Sequence, residues 1–294
     1  MKFNFYQREE GETVAQKSAI ENLDLIKRYK NRETYKKQDI KYLLHIGGSG
    51  MGKTRSLLEL RNILLKIDSK KYPDFQNTLQ IYIDFFNGDK ILVEESKKPD
   101  DLLGIRIFSR FFRNQTIEKF KNEKDFEIYS NSNVFDLDIV LDFLNDYMNE
   151  YNNSNNIKGY TPIVINLDEI QYTLNRVDGE WKDIRNNIGS YIWGRKDKIE
   201  NYNLILIPSI GGTKINDIKF DPTEYGFYEF KLDSFKIETL KKILSDEKID
   251  QYENENVKKE FYRFWMICSL IPRDLEEGIT IFKSIISFLR KILC

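Results

Sequence analysis

Histidine and cysteine are nearly absent from this sequence, which holds one histidine, His45, and two cysteines, Cys268 and Cys294. Two cysteines cannot make a disulfide framework, and they suit a reducing compartment. Cys268 lies within Phe264-Trp265-Met266-Ile267-Cys268-Ser269-Leu270, where a small buried apolar role is expected of it. A single histidine excludes histidine-rich metal centres, and it excludes a Ser-His-Asp triad built on any histidine other than His45. His45 follows Tyr42-Leu43-Leu44, so a hydrogen-bonded place in the core is expected of it. An excess of charge of one sign is missing too. Forty-six basic residues against 47 acidic ones leave a formal net charge of −1. That gives no global attraction to nucleic acid or anionic lipid, and such binding would need a local patch. No apolar run approaches the ~20 residues needed to cross a bilayer. The charged stretch Met1 to Glu12 has no apolar segment of the secretory kind. These absences predict an intracellular protein, cytoplasmic or nuclear, with no membrane partner.

What is present begins with Gly47-Gly48-Ser49-Gly50-Met51-Gly52-Lys53-Thr54. It fits the phosphate-loop pattern G-x-x-x-x-G-K-[ST] without substitution. Glycines at these places let the backbone curl until successive N–H groups point at one anion. Lys53 adds a point charge for the β and γ phosphates, and the Thr54 hydroxyl is a ligand for Mg²⁺. The context supports the motif. Tyr42 to Ile46 reads as a short buried strand, and Arg55 to Leu65 reads as an amphipathic helix. Strand, glycine loop and helix N-terminus together make an anion site, with Arg55 on the first helical turn.

The 294 residues exceed the usual size of one domain and can bury a substantial core. Three segments are expected. Residues 1–40 form a polar lead-in with a helix over about 13–35 that carries Ala19, Ile20, Leu23, Leu25 and Ile26. Residues 41–234 form an α/β core, with further strands at Leu79–Phe86, Pro162–Asp168 and Leu204–Gly211, and an edge strand at Gly226–Leu232. Helices are expected over about 100–122, 135–151 and 182–193, with a loop at Asn152–Asn156. Residues 235–294 form a small helical lid broken at Ile271-Pro272. Strands alternating with helices predict a parallel sheet with helices on both faces.

Phosphate cleavage needs a held Mg²⁺ and a poised water as well as a cradle. The apolar run Pro162-Ile163-Val164-Ile165-Asn166-Leu167 ends in Asp168-Glu169. Asp168 at the strand end suits the Mg²⁺ shell, and Glu169 suits a general base.

In this form the chain resembles the additional-strand, catalytic-glutamate class of P-loop NTPases, which includes the AAA+ and STAND ATPases. The resemblance implies a strand between the loop strand and the acid strand, namely Leu204–Gly211, with Ser209 or Thr213 near the γ-phosphate as a sensor. It also implies an adenine-side box at Phe5-Tyr6-Gln7-Arg8-Glu9-Glu10, similar to F-x-x-R-E. The turn Ile271-Pro272-Arg273-Asp274-Leu275-Glu276 is similar to a G-x-P-R-x-L-E lid turn that would bring Arg273 to the nucleotide, although Leu270-Ile271 stands where the family has glycine. Leu102-Leu103-Gly104-Ile105-Arg106-Ile107 and Ile83-Asp84-Phe85-Phe86-Asn87-Gly88-Asp89 resemble the NTPase module of Crinkler and retrotransposon hot spot proteins. That narrower resemblance carries with it delivery to a host cell. A Crinkler-type header and a nuclease or kinase-like domain are not expected within these residues.

The implied cofactors are ATP and Mg²⁺. A guanine box would need an acid where Thr213-Lys214-Ile215-Asn216-Asp217 has Asn216, so ATP is favoured over GTP. Slow hydrolysis coupled to conformational switching is the leading expectation. The alternatives are an ATP-dependent binding module without turnover, and a small-molecule kinase using the same loop. A protein partner or self-association fits either of the first two, and Arg185 and Arg195 are candidates for an arginine acting on a neighbouring subunit.

Overall fold

The computed structural model describes residues 8–30, 36–48, 50–86, 99–111, 136–170, 188–189, 191, 202–212, 225–232, 239, 242–243 and 245. Ser49, Arg185, Arg195, Thr213, Arg273 and both cysteines lie outside them, as does most of the expected lid.

Among the described residues five strands make one sheet: β1 Lys41–Ile46, β2 Leu79–Asp84, β3 Thr161–Asp168, β4 Leu204–Gly211 and β5 Gly226–Lys231. Their order across the sheet is β2-β3-β4-β1-β5, and the β2–β3, β3–β4 and β1–β4 ladders are parallel. The α-helices bounded among the described residues are α1 Glu9–Lys30, α2 Lys53–Leu64, α3 Pro99–Phe111 and α4 Leu137–Ser154. This is the expected α/β architecture, and β4 stands between the loop strand and the acid strand as the resemblance implies.

The hydrophobic pattern explains the layering. All eight residues of β3 and all eight of β4 are buried, as befits apolar runs in the middle of a parallel sheet. Ile163, Val164, Ile165 and Leu167 each contribute about 1.5–3 kcal/mol by leaving water. β5, with its alternating pattern, lies at the sheet edge and is half exposed. α1 buries Ala15, Ala19, Leu23 and Ile26 on one stripe.

α1 begins at Glu9, four residues before the expected start. α4 runs through Ser154, so the expected loop at Asn152–Asn156 begins later than the asparagine run suggests. Here tertiary contact overrides weak propensity. Asn152 is buried, and its amide donates to Thr161 Oγ1 over 2.8 Å. The chain then leaves the helix through Asn156 at φ 55°, a left-handed conformation that asparagine tolerates.

The chain divides into two compact units. One comprises Met1–Gly11, Gly47–Lys53 and Lys231–Cys294, and the other Glu12–Ile46 and Thr54–Phe230. Among the described residues no helix is long and apolar enough to cross a membrane.

Candidate functional site

Gly47–Lys53, which carry the phosphate-loop pattern, belong to the first unit. Gly50 and Gly52 take φ of 76° and 89°, a region that residues with a side chain rarely adopt. The motif's glycines at these two places are therefore demanded by the backbone path. Met51 N–H donates to the Gly48 carbonyl over 3.4 Å, closing the turn. Lys53 is buried, and its ammonium donates to the carbonyls of Gly47 and Gly48 over 2.9 and 2.7 Å. Arg8 is also buried, and its guanidinium donates to the Met51 carbonyl over 3.2 Å. Sequence reasoning gave Arg8 a place beside adenine by resemblance. The contact with Met51 ties it to the loop backbone.

In the second unit, the sheet face beneath α2 carries the polar residues. Side chains alternate along a strand, so Gln80, Tyr82 and Asp84 share one face of β2, and Asn166 and Asp168 share one face of β3. Register sets Tyr82 beside Asn166, Asn166 beside Ser209, and Asp84 beside Asp168. Asp168 is fully buried and has three donors. Thr54 Oγ1 and Tyr82 Oη donate to its Oδ2 over 2.6 and 2.7 Å, and Glu169 N–H donates to its Oδ1 over 2.9 Å. The motif's last residue and the first acid of the pair, 114 positions apart in the chain, are thus in direct contact. Arg55 follows Thr54 on the first turn of α2 and is half-buried.

Glu169 is half-buried and stands at φ 55°. For a residue with a side chain that conformation costs about 1–2 kcal/mol, and it persists where neighbours over-determine it. They do so here. Phe85 N–H donates to the Asp168 carbonyl, and Ile170 N–H to the Gly211 carbonyl, so the turn out of β3 is tied to both adjacent strands. Gly211 packs closely on this carboxylate: a Cβ there would lie 3.1 Å from Asp168 Oδ1 and 2.7 Å from Leu57 Cδ1, too near for a side chain.

His45 is the core histidine expected from its strand. Its Nδ1 is 2.6 Å from Ser56 Oγ, its Nε2 is 2.9 Å from Ser209 Oγ, and its ring stacks on Phe230 at 4.8 Å. Burial depresses its pKa to about 3, so the ring is neutral at pH 7, with one nitrogen donating and the other accepting. The same bond occupies the hydroxyl of Ser209, which is fully buried. Burial pushes the Tyr82 phenol above its ordinary value, and the Asp168 carboxylate that it faces pushes the same way.

Two of these residues escaped sequence reasoning, Tyr82 and Gly211. A signal for Tyr82 was present, because Gln80-x-Tyr82-x-Asp84 places three polar side chains at period two on a strand otherwise apolar. Gly211 ends a strand like many glycines, and nothing local marks its neighbour.

No protein-family model matches the chain, and no curated protein matches it. Among solved structures, the Aeropyrum pernix ORC2 protein in its ADPNP-ADP complexes is similar, with a TM-score of 0.42 and 14% identity over 82% of this chain and 51% of that one. The chain spans about half the length of that protein.

Proposed function

We propose that the chain is a P-loop ATPase that binds ATP with Mg²⁺ and hydrolyses it slowly, coupling the nucleotide state to a conformational switch or an effector role. The observation that carries this reading is the 2.6 Å hydrogen bond from Thr54 to Asp168. It joins the two sequence motifs that such chemistry requires.

In this reading Gly47, Gly48, Ser49, Gly50, Met51 and Gly52 present their N–H groups to phosphate, with Lys53 as the cation and Arg55 on the adjoining turn. Lys53 exchanges its carbonyl partners for phosphate oxygens. Arg8 holds the loop through Met51, and Arg273 reaches the nucleotide from the lid. Of the two sensor candidates Thr213 is preferred, because the Ser209 hydroxyl is engaged by His45. By the same reading the chain is a relative of the NTPase module of Crinkler and retrotransposon hot spot proteins.

The donors fit Mg²⁺. Thr54 Oγ1 and Asp168 Oδ2 are hard oxygen ligands, 2.6 Å apart. Thr54 and Asp168 would hold the ion, which would supply charge neutralisation at the phosphates. Glu169 serves as the base toward water, and its strained backbone is consistent with a side chain aimed for chemistry rather than for comfort.

Turnover of ATP by purified protein, measured beside nucleotide affinity, tests the reading. Lys53→Ala should abolish binding, and Glu169→Gln should retain binding while lowering turnover by 10²-fold or more, within the general-base range. Binding with no turnover above the Lys53→Ala background would instead make the protein a nucleotide-dependent binding module. Equal turnover in wild type and Glu169→Gln would remove Glu169 from its role.

A further inference from the structure

Asp168 can accept roughly four hydrogen bonds, and Thr54, Tyr82 and Glu169 N–H take three of them. Two of the three converge on the same oxygen, Oδ2, from different elements. Thr54 comes from α2 and Tyr82 from β2, the strand paired with β3. Tyr82 is in register with Asn166 rather than with Asp168. It therefore reaches diagonally to a residue two positions on, a span that an aromatic side chain can cover. A tyrosine needed for packing alone would not require that reach, since a phenylalanine supplies the same ring. The neighbouring acid adds to the case. Asp84 is level with Asp168, but its Oδ1 accepts from Phe86 N–H, so one of its oxygens is turned to its own strand end.

We infer that Tyr82 is a positioning residue for the metal side of the site, its hydroxyl fixing the orientation of Asp168 so that the carboxylate and the Thr54 hydroxyl present one preset pair of oxygens to a divalent cation. This rests on the ATPase reading above. Outer partners that orient a metal-binding carboxylate commonly change metal affinity by 10–100-fold when removed, although they touch neither metal nor substrate. Tyr82 donates the hydrogen bond to Asp168, and no proton is transferred. One acceptor position on Oδ1 is left over by these three donors.

The test compares Tyr82→Phe with wild type, using Mn²⁺ as a spectroscopic substitute for Mg²⁺ and measuring bound Mn²⁺ by paramagnetic resonance at saturating ATP. Affinity for a fluorescent ATP analogue without metal is measured beside it. Tyr82→Phe should weaken Mn²⁺ about tenfold and leave the metal-free nucleotide affinity within about twofold. Unchanged Mn²⁺ affinity would overturn the inference, because a structural hydroxyl alters the unfolding midpoint without separating metal from nucleotide binding. Equal losses of both affinities would overturn it as well, since that pattern marks general damage. Lys53→Ala and Asp168→Asn distinguish the two levels of argument. If they too leave nucleotide and Mn²⁺ binding intact, the ATPase reading falls and Tyr82 falls with it. If they abolish binding while Tyr82→Phe does nothing, only the role of Tyr82 is lost.

Discussion

His45 shows how one buried side chain can set a solution property. It is the sole histidine among 294 residues, and burial holds its pKa near 3, below the ~6.5 of an unfolded chain. Above pH 6.5 the ring is neutral in both states and costs nothing. Below that value the unfolded chain binds a proton that the folded chain refuses, so stability falls with pH until about pH 3. The slope is about 1.4 kcal/mol per pH unit. Urea unfolding at pH 7.5 and 5.5 should show a larger loss for wild type than for His45→Gln, whose amide can still meet Ser56 and Ser209. No other side chain has an ordinary pKa in that window, so the difference reports on this ring. Equal losses in the two proteins would mean that the imidazole becomes charged within the fold.

One amide side chain ties α1 to the start of β1. Asn22 Nδ2 donates to the Lys41 carbonyl over 2.9 Å, and Lys41 N–H donates to Asn22 Oδ1 over 2.8 Å. Asn22 thereby mimics a strand partner for the first residue of β1, the strand that leads into the phosphate loop. Asn22→Ala leaves both backbone groups unpaired in a partly buried place, at a cost of about 1–3 kcal/mol each at most. Chemical denaturation should show a lower midpoint with an unchanged slope, and amides of β1 should exchange faster than those of β3. A uniform rise in exchange across the sheet would argue against a local clamp. Helix and strand positions were readable from periodicity, since β3, β4 and α2 all lie within a few residues of their expected bounds. The overrun of α4 was not readable, because it depends on the contact of Asn152 with Thr161. Propensity carries no information about that partner.

For the chain as a whole, ligand linkage gives the simplest check. If the native state alone binds ATP, nucleotide at 100 times its dissociation constant stabilises it by about 2.7 kcal/mol. Thermal unfolding should therefore shift upward with ATP and Mg²⁺ in wild type and Glu169→Gln, and not in Lys53→Ala. A shift that survives in Lys53→Ala would place the nucleotide elsewhere. The phosphate-loop pattern was plain in the primary structure because it is local: eight adjacent residues hold the glycines, the lysine and the threonine. The acid pair was plain for the same reason, as two carboxylates ending an apolar run. Tertiary structure alone decided that Thr54 meets Asp168, that Tyr82 shares the same oxygen, and that His45 engages Ser209 in the core. Those contacts join residues 86 to 164 positions apart. They arise from strand order and register, which depend on how the whole sheet closes and not on any one segment of it.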